Sequence, residues 1–276
     1  MDHALSTHVL ANQPLTTVWL ERIRDSGIAA VEIFCALQHV DYRNRAQISE
    51  LAHFFRDSDL RFHSLHAPIY TDDVWGRSGP HAVINIAEPV KARRTAMLDE
   101  IKRALEIAER APFRYLIQHV GAGDEEFDEK KLDAAFTSLE ELSLFARQRG
   151  VDILLENIPN GFSSAERLHY FLLETHLDLG YCFDVGHAHI GEGIRAAFEI
   201  MQDRIRSTHI HDNDGLDDTH LFPMVAEGGS IDWKETMELL RTRSDQYPLL
   251  LELREREKTP NPLDSIAAIF ERLESL

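Results

Sequence analysis

The stretch "LGYCFDVGHAHIGEG" (179–193) begins as an apolar strand and runs out into a glycine-punctuated segment holding Asp184, His187 and His189. Carboxylates and imidazoles placed together can move protons, bind a metal ion or make structural hydrogen bonds. The same residue types recur where other β-rich runs end. His66 closes "LRFHSLHA" (60–67), His119 closes "RYLIQHV" (114–120) and Glu156 falls in "DILLENI" (152–158). Asp184 ends "LDLGYCFDV" (177–185), His209 lies in "RSTHIHD" (206–212) and Glu252 in "YPLLLELR" (247–254). Taken singly, each reads as a hydrogen-bonded structural residue. Their coincidence is what asks for chemistry.

The positioning elements follow from the alternation of patterns. Two earlier β-rich runs, "ALSTHVL" (4–10) and "AAVEIFC" (29–35), bring the strand-like segments to eight, and longer amphipathic stretches separate them. In "RRTAMLDEIKRALEIAERA", Met97, Ile101, Leu105 and Ala108 share one helical face. Strands joined by long crossovers pair in parallel. No linker or low-complexity tract divides the chain, so the expectation is an α/β fold: a single (β/α)8 TIM barrel spanning 1–276. Such barrels gather their chemistry at the C-terminal strand ends. Strands three to eight would therefore deliver six carboxylates and imidazoles to one rim. There they would repel or stay badly desolvated unless a cation joined them, and mixed oxygen and nitrogen donors suit Mn²⁺, Zn²⁺, Co²⁺ or Mg²⁺.

Three segments border that rim. His187 stands three residues past Asp184, with Gly186 expected to allow a sharp exit from the strand. Asp218 and His220 have a D-x-H spacing that, in an extended segment, turns both side chains one way. The loop after strand three, "PIYTDDVWGRSGPHAVINIAEP", is long enough for a lid and holds Trp75, Gly76, Arg77 and Gly79. His189 is expected to support the site from outside the ligand set.

Composition narrows the partners. A formal charge of −18, from 29 Lys plus Arg against 47 Asp plus Glu, disfavours binding to nucleic acid. Asp212, Asp214, Asp217 and Asp218 add acid beside the expected mouth. No apolar run approaches the roughly 20 residues that cross a bilayer. Cys35 and Cys182 are the only cysteines, both in strand-like runs, and indicate no disulfide framework. The start, "MDHALSTHVLANQP", lacks a secretory pattern. The reading is a cytoplasmic protein that binds neither nucleic acid nor a membrane, with a homo-oligomer left open.

"HAPI", "QHVG", "LLENIP", "FDVGHA", "HIHDNDG", the D-x-H with "EGGSIDW", and "LLELRE", in this order, resemble the xylose-isomerase-like TIM-barrel superfamily. That group includes sugar isomerases and epimerases and AP endonucleases of the endonuclease-four type. The resemblance implies that Glu156, Asp184, His209 and Glu252 are metal ligands, with Glu156 and Glu252 also handling protons. Similarity to the endonucleases implies that His66, His119, His187, Asp218 and His220 match the remaining ligands of a trinuclear zinc cluster; across both branches the expectation is one to three divalent ions, Mn²⁺ or Zn²⁺ ahead of Co²⁺ or Mg²⁺. Gly215 stands where ketose 3-epimerases carry a sugar-contacting arginine.

The expected activity is metal-dependent isomerisation or epimerisation of a small sugar, polyol or sugar-derived acid through an enediolate. The alternatives are a multinuclear phosphodiester hydrolase, a keto-polyol dehydratase and a noncatalytic metal-dependent sugar-binding protein.

Overall fold

A computed structural model of the chain describes residues 1–255 and 263–276. Its strands are β1 (His3–Ser6), β2 (Ala30–Phe34), β3 (Arg61–His66), β4 (Tyr115–Gln118), β5 (Asp152–Glu156), β6 (Gly180–Asp184), β7 (Ile205–His209) and β8 (Leu249–Leu251). They form one parallel sheet in the order β7-β6-β5-β4-β3-β2-β1-β8. A parallel bridge between Ile210 and Leu251 joins its two ends. Helices occupy the crossovers, and the result is a (β/α)8 TIM barrel, as the pattern predicts.

Period-two alternation sorts the side chains. Outward residues such as Leu5, Val31, Leu116, Leu155 and Phe183 pack with helix residues such as Leu20, Leu51, Ile101 and Leu139 into one buried core. Inward residues fill the barrel. Ala4, Ala30 and Leu250 form one apolar patch, and Ile117, Leu154 and Cys182 another. The last inward residue of most strands is polar, and that layer is the rim.

Several strands are shorter than their sequence runs. Thr7–Leu10 form a 3-10 helix rather than the second half of β1. Val185–Ile190 form an α-helix directly after β6, and Asp184 caps it by accepting a hydrogen bond from the His187 amide at 2.6 Å. The capped turn competes successfully with strand geometry because it satisfies an otherwise orphaned amide. The helix read in "RRTAMLDEIKRALEIAERA" spans Lys91–Leu105 and tightens into a 3-10 turn over Glu106–Glu109. Ile101, Leu105 and Ala108 are buried there, while Met97 packs at the core's edge.

Two register shifts adjust the rim. One, between Tyr181 and Cys182, sets Asp184 opposite His209; the other, between Val31 and Glu32, sets Glu32 opposite Ser64. Such bulges re-aim side chains near functional sites. No described helix is long and apolar enough to cross a membrane.

Candidate metal centre and active site

His209 ends β7 and is completely buried. Its Nδ1 lies 3.1 Å from Glu156 Oε1, 3.2 Å from Glu252 Oε2 and 3.7 Å from Asp184 Oδ2. Glu156 and Asp184 end β5 and β6, and Glu252 follows β8 by one residue. One donor atom from each of these four residues lies within 4.8 Å of the others. Asp184 Oδ2 is buried with no hydrogen-bond partner among the described residues. Three buried carboxylates around one imidazole form a hard-oxygen and nitrogen donor set that fits a divalent cation.

The electrostatics agree with that fit. Burial pushes the Glu156 carboxyl up, yet the charges of His209 and His119 hold it well below the usual carboxylate range. Burial pushes His209 down, but Cys182 and the Glu252, Glu32 and Glu156 carboxylates outweigh it and raise the imidazole well above its ordinary value. The cluster thus draws positive charge to the place where a metal would supply it.

Two further donor groups flank the first. His66, ending β3, lies 3.5 Å through Nε2 from Glu156 Oε2; His119, one residue past β4, lies 3.1 Å from the same oxygen. His66, His119 and Glu156 form one group, and His187, His211, Asp218 and His220 form another. Asp218 Oδ1 is 3.1 Å from His220 Nε2 and 3.5 Å from His187 Nε2. Burial raises the Asp218 carboxyl, but hydrogen bonds from His187 and His220 more than reverse that and hold it low.

Two local explanations change. Gly186 does not make a sharp exit; it lies within the Val185–Ile190 helix, and a Cβ there would stand 2.0 Å from His211 Cε1. Its job is to admit the His211 ring. Asp218 and His220 do converge, though not by strand alternation. His220 has φ 46°, an uncommon left-handed conformation that swings its ring onto His211, with centroids 3.9 Å apart.

His189 bonds to Ser230 Oγ at 2.8 Å and belongs to none of these groups. Asp212, expected beside the mouth, is buried and accepts from Trp233 Nε1 at 2.7 Å and from the Asn213 amide at 2.9 Å. It anchors the loop. Gly229 permits this, since a Cβ there would meet Asp212 Oδ2 at 2.4 Å.

Sequence reasoning missed His8, Glu32 and His211. His8 follows β1 and groups with His220 and Glu252. Burial, then His220 and Arg254, push its imidazole well below the ordinary value. The strand-end rule applied to strand one would have found it. Glu32 is a lone charge in "AAVEIFC", and His211 lies two residues from His209 in "HIHD", on the same face of an extended segment.

Above the donors lies a cavity of about 300 Å³, at the small end of small-molecule sites. Phe34, Tyr70, Trp75 and Pro159 wall it, while Glu156, His187 and Glu252 reach it from the rim. Trp75 comes from the loop after β3, which folds back through a Tyr70–Val83 bridge. The Trp75 ring packs 5.0 Å from Phe34 and 5.3 Å from His8, and its amide is held by Gln38 at 2.8 Å. Arg254 also lines the cavity.

The uncharacterized proteins MJ1614 and MJ1311 of Methanocaldococcus jannaschii are similar to this chain. MJ1614 is 29% identical over 168 residues, 59% of this chain and 60% of that protein. MJ1311 is 27% identical over 253 residues, 87% of this chain and 80% of that protein. Among solved structures, a D-tagatose 3-epimerase-like protein superposes with TM-score 0.77 at 25% identity, covering 100% of this chain and 97% of that one. The IolI protein with a bound zinc atom shares the fold, with TM-score 0.74 at 18% identity over 99% and 96% of the two chains. The model of the xylose isomerase-like TIM barrel family matches residues 20–276. The chain, with its closed parallel barrel and its rim of carboxylates and histidines, belongs to that family.

Proposed function

We propose that this protein is a divalent-metal-dependent isomerase or epimerase of a small sugar, polyol or sugar-derived acid. The observation that carries the reading is the pairing of Glu156 and Glu252: two buried carboxylates from β5 and β8, each within 3.2 Å of His209 Nδ1, at the edge of one small cavity. Glu156, Asp184, His209 and Glu252 would hold the metal. A bound divalent ion supplies charge stabilisation to a carbonyl and the neighbouring hydroxyl as a carbon-bound proton leaves. One of Glu156 and Glu252 removes that proton and the other returns one, which suits groups brought from different strands. Phe34 and Trp75 offer apolar faces to the substrate's C–H surface and keep water out of the cavity. The solved structure of a D-tagatose 3-epimerase-like protein supports the substrate class.

The test is exchange of a substrate carbon-bound hydrogen with deuterated water across a panel of ketoses and keto acids, alongside metal analysis of protein purified without chelator. Solvent exchange with near one equivalent of metal supports the proposal. The His66–His119–Glu156 group and the group around Asp218 favour a second reading, a phosphodiester hydrolase with several ions. Near three equivalents of zinc with incision of abasic-site duplex would replace the first reading by the second. The net charge of −18 weighs against it, because metals offset local charge but do not grip a polyanion along several nucleotides.

A further inference from the structure

The donor group has a carboxylate behind it that no strand-end rule reaches. Glu32 sits in the middle of β2, one inward position below Phe34, and is completely buried. Its Oε1 and Oε2 lie 3.0 and 3.2 Å from His209 Nε2, the ring nitrogen opposite the one that faces Glu156 and Glu252. Ser64 Oγ on β3 donates to Glu32 Oε2 at 2.8 Å. That contact depends on the shift between Val31 and Glu32, which skips His63 and sets Ser64 opposite Glu32. Ser6 and Ser207, also completely buried, are small residues at inward positions of β1 and β7. A buried carboxylate is costly without a partner, and this one has two fixed ones.

We infer that Glu32 is the positioning residue of the metal centre, holding His209 with its proton on Nε2 so that the Nδ1 electron pair faces a divalent cation shared with Glu156, Asp184 and Glu252. An ionised carboxylate only accepts hydrogen bonds, so Nε2, facing Glu32 alone, keeps its hydrogen, whereas the hydrogen that Nδ1 turns toward Glu156 and Glu252 is the one a cation held by those carboxylates would displace. In the opposite tautomer the Nε2 lone pair would face two buried carboxylate oxygens. Anionic support behind a ligating histidine also raises its basicity and restrains its ring, and loss of such support typically weakens metal binding about 10–100-fold. This inference rests on the reading of His209 as a ligand.

Zinc alone is the probe, titrated against a competing chelator. Glu32→Gln keeps the size and removes the charge, and is expected to weaken zinc binding about 10–100-fold. Ser64→Ala, which frees Glu32 without removing it, is expected to give a smaller loss in the same direction. Nitrogen-15 spectra of histidine in the zinc-loaded wild-type protein should show His209 bound through Nδ1 and protonated at Nε2, the nitrogen that faces Glu32, a readout that needs no variant to fold; in loaded Glu32→Gln the Nε2–H resonance should shift, as loss of its charged acceptor requires. Zinc affinity unchanged in folded Glu32→Gln, or a proton on Nδ1 in the loaded wild type, overturns the inference. His209→Ala separates the two levels. If it weakens zinc binding while Glu32→Gln does not, only the role of Glu32 falls; if it too leaves affinity unchanged, the four-ligand reading falls with it.

Discussion

The two halves of the barrel mouth are built on different principles. On the β5–β8 side, Glu156, Asp184, His209 and Glu252 converge, their geometry set by strand ends and by the β6–β7 register shift. On the β1–β3 side, Phe34 is the hub, with ring centroids 4.5 Å from His8, 4.9 Å from His66 and 5.0 Å from Trp75. One half concentrates charge and the other supplies shape. The division suits chemistry in which a small molecule is gripped by its oxygens on one side and confined by its carbon skeleton on the other. Substitutions in the first half should therefore act on turnover and metal, and those in the second on substrate affinity.

The largest expected effect is from Glu156→Gln or Glu252→Gln. Removing a proton-transfer group should lower kcat about 10²–10⁴-fold, with a much smaller change in KM. Kinetics on the substrate identified by the exchange panel measures this, and full activity of both variants rejects the proton-transfer role.

Asp184→Ala should weaken metal binding by at least about tenfold. It should also lose the helix cap on His187, at about 0.5–2 kcal/mol. Asp184→Asn separates these effects, since its side-chain oxygen can still cap while the anion is gone. Metal content unchanged in a folded Asp184→Ala protein would sink the ligand assignment.

Trp75→Ala tests the other half. The expected outcome is a KM raised about tenfold with kcat within a few-fold, because the ring confines substrate in ground and transition state alike. Zinc affinity should not change. An equal fall in kcat and kcat/KM would show that the aromatic side takes part in the transition state, and the comparison would need redrawing.

Metal removal should lower thermal stability, since an ion that binds only the folded state adds about 2.7 kcal/mol at a hundred times its dissociation constant. The shift between apo and loaded protein, read by calorimetry, should persist in Trp75→Ala and shrink in Asp184→Ala. The smallest effect expected is none. Binding to abasic-site duplex should be negligible and cleavage absent, even with zinc restored, and salt-sensitive binding would contradict the charge argument.

Much of the fold and part of the site are legible without coordinates. Alternating β-rich and amphipathic runs are local patterns, so the barrel could be read directly. The strand-end positions of Glu156, Asp184 and His209 could be read too, because a strand's C-terminal end is a property of a short segment. Gly186 shows the limit. Its neighbours in sequence suggest a flexible exit, whereas its real constraint is the His211 ring, 25 positions further on, which no local pattern contains. His220 is similar: the D-x-H spacing brings Asp218 and His220 together, but the left-handed turn that stacks His220 on His211 depends on the loop's closure.

What the sequence by itself determined is which segments form strands and which residue types stand at their ends, since steric and burial preferences act over a few neighbouring positions. Which inward side chains touch one another across the barrel was decided only by the tertiary structure. Glu32 and His209 are 177 residues apart, on strands that are not neighbours in the sheet, and they touch because barrel closure brings opposite walls together. A lone glutamate in an apolar strand is a conspicuous residue with no visible partner. Its partner exists only in a closed barrel, whose small inward serines and shifted β2–β3 register leave a place for the carboxylate against the imidazole.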